Sequence, residues 1–146
     1  MDRTLSTKIT IVEMPSIHLV VCRAETDRGD EIKAAWRQLE SKLPTLKGRK
    51  FYGLSYTEAS GPAYYAGVEP LDAGEAAALG FPTLVLNGGK YARVKLKDWT
   101  KHTEEIPTIF DQLDQAVQRD PARPAVEFYR SQSELHLLVP VADDQA

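Results

Sequence analysis

The segment VEFYRSQSELHLLVPV, residues 126–141, places a carboxylate among residues that favour β-strands. Glu127 is flanked by Val, Phe and Tyr, and the apolar run that follows completes a predicted hairpin. A carboxylate in such a strand either points into solvent or lies inside the protein, where an unpaired charge is costly. Glu127 is therefore the first candidate for a residue that performs chemistry, and its partner has to come from other elements.

Other residue types suited to catalysis or metal binding are few. The one cysteine, Cys22, excludes an internal disulfide, and its valine neighbours predict a buried thiol. His18 and His102 stand apart from other potential ligands, and no pair has the spacing of a metal site. A short turn would place His136 across the hairpin from Glu127, but a slip of one residue would reverse its face. We expect no metal and no cofactor.

Length and charge limit the class of protein. The 146 residues suffice for one domain with its own core. The net charge of −3 argues against direct nucleic-acid binding, and the basic stretch at 42–50 is expected to be a solvated loop. No apolar run approaches the ~20 residues of a membrane span, and the first eight residues lack the apolar segment of a signal peptide. We therefore expect a cytoplasmic protein with no membrane partner.

Hydrophobic periodicity predicts two main helices. In residues 31–43 and again in 104–118, apolar residues recur at spacings of three and four, which is one face of a helix. Pro107 is compatible with the first turn of the second helix. A shorter helix is predicted in the Ala-rich segment 72–80. About eight strands are expected in the remaining segments, with a turn at 59–62 between two of them.

The sequence contains an internal repeat. EIKAAWRQL (31–39) aligns with EIPTIFDQL (105–113) at an offset of 74 residues, and Trp36 then lies over Phe110. The same offset aligns strands on both sides of each helix. Two unrelated amphipathic helices would not be expected to agree in their flanking strands as well.

A repeated β-α-β-β unit predicts the architecture. We expect an α+β fold in which two pseudo-symmetric repeats, about 8–70 and 82–142, form one antiparallel sheet within a single domain, 1–146. Both main helices should lie on one face of the sheet, with a ligand cleft between them.

The offset places Glu127 over Gly53. One half of the protein supplies a charge where the other leaves space, which predicts a cavity beside the pseudo-symmetry axis. Because side chains alternate along a strand, Tyr129 shares the face of Glu127, and Phe51 shares the face of Gly53.

The helices and loops supply further aromatic candidates. Trp36 and Phe110 occupy equivalent positions facing the sheet, and Trp99 could form one end of the cleft. Only one of Tyr64 and Tyr65 can face the cavity, and Tyr65 is favoured. Ordinary core packing is the alternative explanation for each aromatic residue. The complete set of candidate ligand-binding residues is Glu127, Tyr129, Trp36, Trp99, Phe110, Tyr65, Phe51 and Gly53, with Tyr91 and Leu138 as secondary candidates.

Three segments together resemble the GyrI-like small-molecule-binding domain. NGGKYARVK (87–95) is similar to the Gly-Lys-Tyr-Ala strand entry of that family, and YGLSY (52–56) to a strand of its first half. PAVEFYRS…ELHLLVPV (124–141) is similar to its Glu-containing penultimate strand and its Val-Pro-Val ending. The resemblance covers nearly the whole chain. It implies a stand-alone relative of the effector-binding domains of AraC- and MerR-type multidrug regulators.

The resemblance also implies a function. In the family, hydrophobic cations and other aromatic compounds bind in a cleft over the sheet against a glutamate, which here is Glu127. Aromatic rings attract a cation by ~0.5–2 kcal/mol each, and a buried carboxylate supplies the counter-charge. Such a site selects charge and size, with affinities of about micromolar. The favoured interpretation is a binding protein for amphipathic, cationic aromatic small molecules.

Two other functions stay open. A hydrolase of reactive small molecules would use Glu127 with Tyr129 or Tyr65 to activate a water, and turnover would reveal it. A protein-interaction module, such as an inhibitor of a topoisomerase, would bind a protein partner through an exposed patch that the sequence does not locate.

Overall fold

The computed structural model describes residues 8–26, 28–58 and 61–142. Within these ranges the fold is α+β, with one eight-stranded antiparallel sheet and three α-helices. The strands are β1 (Thr10–Met14), β2 (Ile17–Arg23), β3 (Phe51–Glu58), β4 (Gly61–Val68), β5 (Thr83–Leu86), β6 (Gly89–Lys97), β7 (Ala125–Tyr129) and β8 (Glu134–Pro140). The helices are α1 (Gly29–Ser41), α2 (Ala73–Leu79) and α3 (Ile106–Ala116), and two 3-10 turns, Trp99–Lys101 and Thr103–Glu105, precede α3.

The predicted helices are confirmed, with small shifts of their ends. Each main helix buries one apolar stripe, which includes Leu39 in α1 and Leu113 in α3. In α2, the Asp72 carboxylate accepts a hydrogen bond from the Glu75 backbone N–H at 2.8 Å, and Gly80 ends the helix in the left-handed conformation. In the ranges that the structure describes, no helix has the length and apolar composition needed to cross a lipid bilayer. Residues 59–60 of the predicted turn, and the first seven residues of the chain, lie outside those ranges.

The strand order across the sheet is β1-β6-β8-β7-β3-β4-β2-β5. It reads the same from both ends when each strand is exchanged for its counterpart in the predicted repeat. At the centre, β3 pairs with β7, and Gly53 lies directly opposite Glu127. The order is therefore the one expected from two joined repeats, while the superposition of the two halves stays a prediction.

Two short links connect opposite regions of the sheet. Pro15 and Ser16 alone separate β1 from β2, although five strands lie between them in the sheet order. The β5–β6 link, Asn87 and Gly88, makes the corresponding connection. The sheet must therefore curl until its two edges lie side by side. The links meet there: the Gly88 N–H donates to Ser16 Oγ at 3.0 Å, and a Cβ at Gly88 would overlap the backbone of the first link.

A buried arginine fastens this junction. The Arg123 guanidinium donates to the Val141 carbonyl at 2.8 Å and to the Lys90 carbonyl at 3.3 Å. It also pairs with Asp120 at 2.9 Å and lies over the Tyr91 ring at 4.8 Å. Because the side chain is only 7% exposed, these contacts replace nearly all of its hydration.

Both main helices lie on the same face of the sheet, as predicted. α1 packs on residues that share a face with Phe51, and α3 packs on residues that share a face with Tyr129. Phe51 and Tyr129 are direct cross-strand partners, so their side chains point the same way. The other face forms the inside of the curl and buries its own apolar cluster, which includes Tyr52, Leu54 and Val126. The helix-bearing face is the one that also carries Glu127.

Candidate functional site

Glu127 has two tyrosine partners. Its Oε1 accepts hydrogen bonds from the Tyr64 hydroxyl at 2.9 Å and the Tyr129 hydroxyl at 3.0 Å. The Trp36 indole N–H in turn donates to the Tyr64 oxygen at 3.1 Å. Elements β4, β7 and α1 thereby hold a continuous chain of donors that ends at one carboxylate oxygen.

Gly53 provides the space for this arrangement. A Cβ built on Gly53 would overlap the Tyr64 hydroxyl and the Glu127 carboxylate. Gly53 is therefore needed for the close approach of these two side chains, and its backbone dihedrals do not require glycine. Gly53 and Glu127 are direct cross-strand partners, but the cavity predicted at this position is not present, because the Tyr64 hydroxyl and the Glu127 carboxylate fill the space.

The other oxygen of the carboxylate is free. Glu127 Oε2 accepts no hydrogen bond from the described residues, and it is not among their solvent-sealed polar atoms without a partner. The residue is half-buried although it lies in a central strand of the sheet. On the same face, the neighbouring Ser55 is exposed. Glu127 therefore lies on the helix-bearing face at the centre of the sheet, and its side chain is not completely buried.

Burial raises the pKa of Glu127 above its ordinary value, while the hydrogen bonds from Tyr64 and Tyr129 lower the pKa without cancelling the rise. Burial also raises the pKa of both tyrosines, and the neighbouring Glu127 charge adds to that rise. Both hydroxyls therefore stay protonated at physiological pH and act as donors. When the carboxyl group is ionised, the described residues compensate its charge only with hydroxyl dipoles.

A cleft of about 740 Å³ opens beside this cluster. Four aromatic side chains line it: Trp36, Phe51, Trp99 and Tyr129. The Trp36 centroid lies 5.9 Å from that of Phe51 and 5.5 Å from that of Tyr129, and Trp99 lies 5.2 Å from Tyr129, all edge to face. Trp36 and Tyr129 separate the cleft from Glu127 and are one hydrogen bond or two away from its carboxylate. The cleft thus combines apolar walls with a nearby buried charge.

Charged residues also line the cleft, and we call its three exposed basic side chains, Lys47, Lys50 and Arg130, the mouth. Glu40 and Arg49 line the cleft as well. Arg49 is occupied, because its guanidinium forms a two-pronged ion pair with Glu75 of α2. The basic stretch at 42–50 is a mostly exposed loop, as expected, and three of its basic side chains, Lys47, Arg49 and Lys50, also line the cleft.

The preference for Tyr65 over Tyr64 is wrong. Tyr65 lies on the inside of the curl, where its hydroxyl accepts from Arg23 at 2.7 Å and donates to Glu58 at 3.1 Å. The length of the β3–β4 turn was the signal that would have identified Tyr64. Glu58 pairs with Gly61, so Tyr64 falls opposite Ser55, on the face of Gly53.

Three other candidates also lie outside the cleft. Tyr91 and Leu138 are buried in the cluster inside the curl, on the sheet face opposite to Glu127. Phe110 packs against the core beneath α3. No residue of α3 lines the cleft, and the 3-10 turn that carries Trp99 occupies that side. Glu127, Tyr129, Trp36, Trp99, Phe51 and Gly53 are brought together, and their role in binding stays a prediction.

The face of His136, which the sequence left open, is the one opposite to Glu127, so the two do not pair. Leu137 lies opposite Glu127, whereas His136 lies opposite Phe128 on the other face and pairs with Glu134. The expectation that His102 is isolated also needs correction. Its Nδ1 lies 2.8 Å from Glu105 Oε2, and possible ligand atoms of His102, Glu104 and Glu105 lie within 4.8 Å of one another on the surface.

Comparison with known proteins shows the fold. No protein-family model and no curated protein matches the chain. An integron cassette protein from the mobile metagenome of Vibrio cholerae matches with a TM-score of 0.66 and 15% identity, over 92% of this chain and 95% of that one. SAV2435 bound to tetraphenylphosphonium matches with a TM-score of 0.65 and 17% identity, over 93% and 94%. The EcmrR C-terminal domain matches with a TM-score of 0.58 and 12% identity, over 93% and 98%. The predicted resemblance is thus confirmed at the level of the fold.

Proposed function

We propose that the protein binds amphipathic, cationic aromatic small molecules in the aromatic cleft, with Glu127 as the counter-charge. The observation that carries the proposal is the half-compensated carboxylate behind the aromatic wall. Two hydroxyls bind one oxygen, and the other oxygen accepts no hydrogen bond from the described residues. A cation in the cleft would relieve the cost of that buried charge, which an empty site has to bear.

The aromatic walls supply the rest of the affinity. Trp36, Phe51, Trp99 and Tyr129 present ring faces and edges around a volume suited to a ligand of drug-like size. Each correctly placed ring contributes ~0.5–2 kcal/mol to the binding of a cation. The fold is shared with a protein that has been seen with tetraphenylphosphonium, an aromatic cation, and this supports the proposal by analogy.

A matched pair of ligands tests the proposal. 10-Methylacridinium is a cation, and acridine at pH 8 is its neutral counterpart of nearly the same size. Binding is followed through quenching of the two tryptophans, both of which line the cleft. We expect the cation to bind at least about tenfold more tightly, which corresponds to ~1.4 kcal/mol. Equal affinities would show that the buried carboxylate does not act on the ligand.

A hydrolytic function is the second candidate, and the free Glu127 Oε2 is the observation that favours it. Two tyrosines hold the other oxygen, so a water at Oε2 would meet a positioned base whose pKa is raised by burial. Incubation with an aromatic epoxide such as styrene oxide, followed by mass spectrometry, separates the two functions. A binding protein returns the epoxide unchanged, and Glu127-dependent formation of the diol would establish the hydrolase instead.

A further inference from the structure

The mouth of the cleft carries the opposite charge from the carboxylate of Glu127, which lies behind Trp36 and Tyr129. Lys47, Lys50 and Arg130 line the mouth, and within the described ranges no ion pair joins any of them to a carboxylate. Glu40 is the one acidic residue on the same wall. All three basic side chains are exposed, so they are hydrated in the empty protein and available to a ligand.

This local excess of positive charge contrasts with the protein as a whole, whose net charge is −3. Screening at physiological salt limits electrostatic effects to about 8 Å. The groups that act on an entering ligand are therefore those at the mouth rather than the distant acidic surface. For a ligand that carries only positive charge, three cations at the mouth weaken the net attraction of the Glu127 end without reversing it.

We propose that the ligand of this cleft is a zwitterion: an aromatic cation that also bears a carboxylate, sulfonate or phosphate at the end facing Lys47, Lys50 and Arg130. The inference rests on the proposed function, because the cationic part of the ligand is assigned to the Glu127 end of the site. An anionic group at the other end satisfies the charges at the mouth and converts their repulsion into attraction.

The distribution of ion pairs supports this assignment. Arg49 lies in the same loop and already has a partner, since Glu75 of α2 fixes it. That ion pair attaches the loop to α2 and leaves its two neighbours, Lys47 and Lys50, beside the cleft. One basic residue of the loop thus fixes its position, and two others form no ion pair with the described residues.

Rhodamine 110 and its methyl ester, rhodamine 123, test the inference. They share one cationic ring system and differ in a free carboxylate. We expect rhodamine 110 to bind about tenfold more tightly at low salt, which three exposed ion pairs suffice to produce. Its advantage should shrink as salt is added, because exposed charges are screened.

Two triple variants assign the effect to the mouth. In Lys47→Gln/Lys50→Gln/Arg130→Gln the two dyes should bind equally, within about twofold. The control, Lys33→Gln/Lys95→Gln/Lys97→Gln, removes the same charge from exposed positions outside the cleft and should retain the tenfold preference. Thermal melts verify folding, and the three single variants at the mouth, each reducing the preference in part, serve if the triple variant is unstable.

The outcomes separate this inference from the proposed function. If rhodamine 123 binds and loses affinity in Glu127→Gln, but the carboxylate adds nothing and the mouth variant changes nothing, the zwitterionic assignment is overturned and the cation site stands. An equal preference in the mouth variant and the charge-matched control also overturns it. If neither dye binds to the wild-type protein, the proposed function fails and this inference fails with it.

Discussion

Replacement of Glu127 by glutamine removes the proposed counter-charge and keeps its shape. The glutamine carbonyl can still accept from Tyr64 and Tyr129, whose hydroxyls lie 2.9 and 3.0 Å from Oε1. The NH2 group of the glutamine takes the place of Glu127 Oε2. The variant should therefore fold normally, and any change in ligand affinity reports the charge rather than a collapsed site.

The size of the effect follows from the position of the charge. The Tyr129 ring and one hydrogen bond would separate a cation in the cleft from the carboxylate, and we take a separation of about 7 Å for the Coulomb estimate. At an effective dielectric constant of ~20, the attraction is about 2.4 kcal/mol, or roughly fiftyfold in affinity. Solvent that reaches the half-buried side chain reduces this value, so we expect a loss of at least about tenfold for 10-methylacridinium. Acridine should bind the variant and the wild type alike.

The pH dependence provides an independent check. Only ionised Glu127 attracts a cation, so wild-type affinity should fall as pH falls through the raised pKa of Glu127. The glutamine variant should show no such dependence.

The same substitution should raise the thermal stability of the ligand-free protein while it lowers the affinity for a cation. The folded-state pKa is higher than the unfolded one, so the folded protein bears a cost that is absent below the unfolded pKa and complete above the folded pKa. Glu127→Gln should therefore melt at a higher temperature than wild type at neutral pH, and this advantage should vanish in acid.

The assay is a fluorescence titration at several pH values, with thermal melts of the ligand-free proteins. Glu13→Gln is the matched control, since it removes one exposed carboxylate from β1. Its affinity should stay within about twofold of wild type. If Glu127→Gln folds and its cation affinity is unchanged, Glu127 is not the counter-charge of the ligand. If the variant melts at a lower temperature than wild type at neutral pH, the buried carboxylate does not destabilise the empty protein.

Three further predictions concern the surroundings of the carboxylate and the junction of the sheet. Tyr64→Phe removes a hydrogen bond that lowers the pKa of Glu127, so cation binding should be lost at a higher pH than in wild type, whereas Tyr65→Phe should leave the pH profile of binding unchanged. Identical profiles for all three proteins would contradict this. Gly53→Ala should destabilise the protein by about 1–3 kcal/mol in urea, because the new methyl group overlaps Tyr64 and Glu127, and an unchanged midpoint would show that the cluster can move aside. Arg123→Met should lower the free energy of unfolding by about 3 kcal/mol, since it leaves a partly buried carboxylate and several carbonyls unpaired, and a loss below ~1 kcal/mol would mean that water replaces the guanidinium.

Periodicity was sufficient to predict the three helices, and the alignment of the two segments was sufficient to predict that Glu127 and Gly53 lie together. The offset of 74 residues related Glu127 to Gly53 before either position was known, and the structure makes them cross-strand partners. The alignment alone places the glycine and the glutamate at equivalent positions of the two halves. Such relations need no knowledge of the curvature of the sheet.

Features that depend on strand register or curvature could not be predicted in the same way. Tyr64 and Tyr65 are adjacent, and their flanking alanines give no preference for either face, so only the turn length distinguishes them. The face of His136 stayed open for the same reason, because a slip of one residue reverses the face. The basic loop at 42–50 contacts the cleft through tertiary packing that no local pattern encodes.

The short links at the junction also determine when the strands can pair during synthesis. Thr10 of β1 pairs with Arg93 of β6, which the ribosome adds 83 residues later, although β2 follows β1 after only two residues. At ~5–20 residues per second, β1 emerges roughly 4–17 s before its hydrogen-bonding partner. Throughout that interval it is an unpaired strand with an exposed Ile11, the kind of segment that seeds aggregation. Glu13 within the strand and Pro15 directly after it oppose such pairing, so the segment that waits for a distant partner also carries residues that disfavour aggregation.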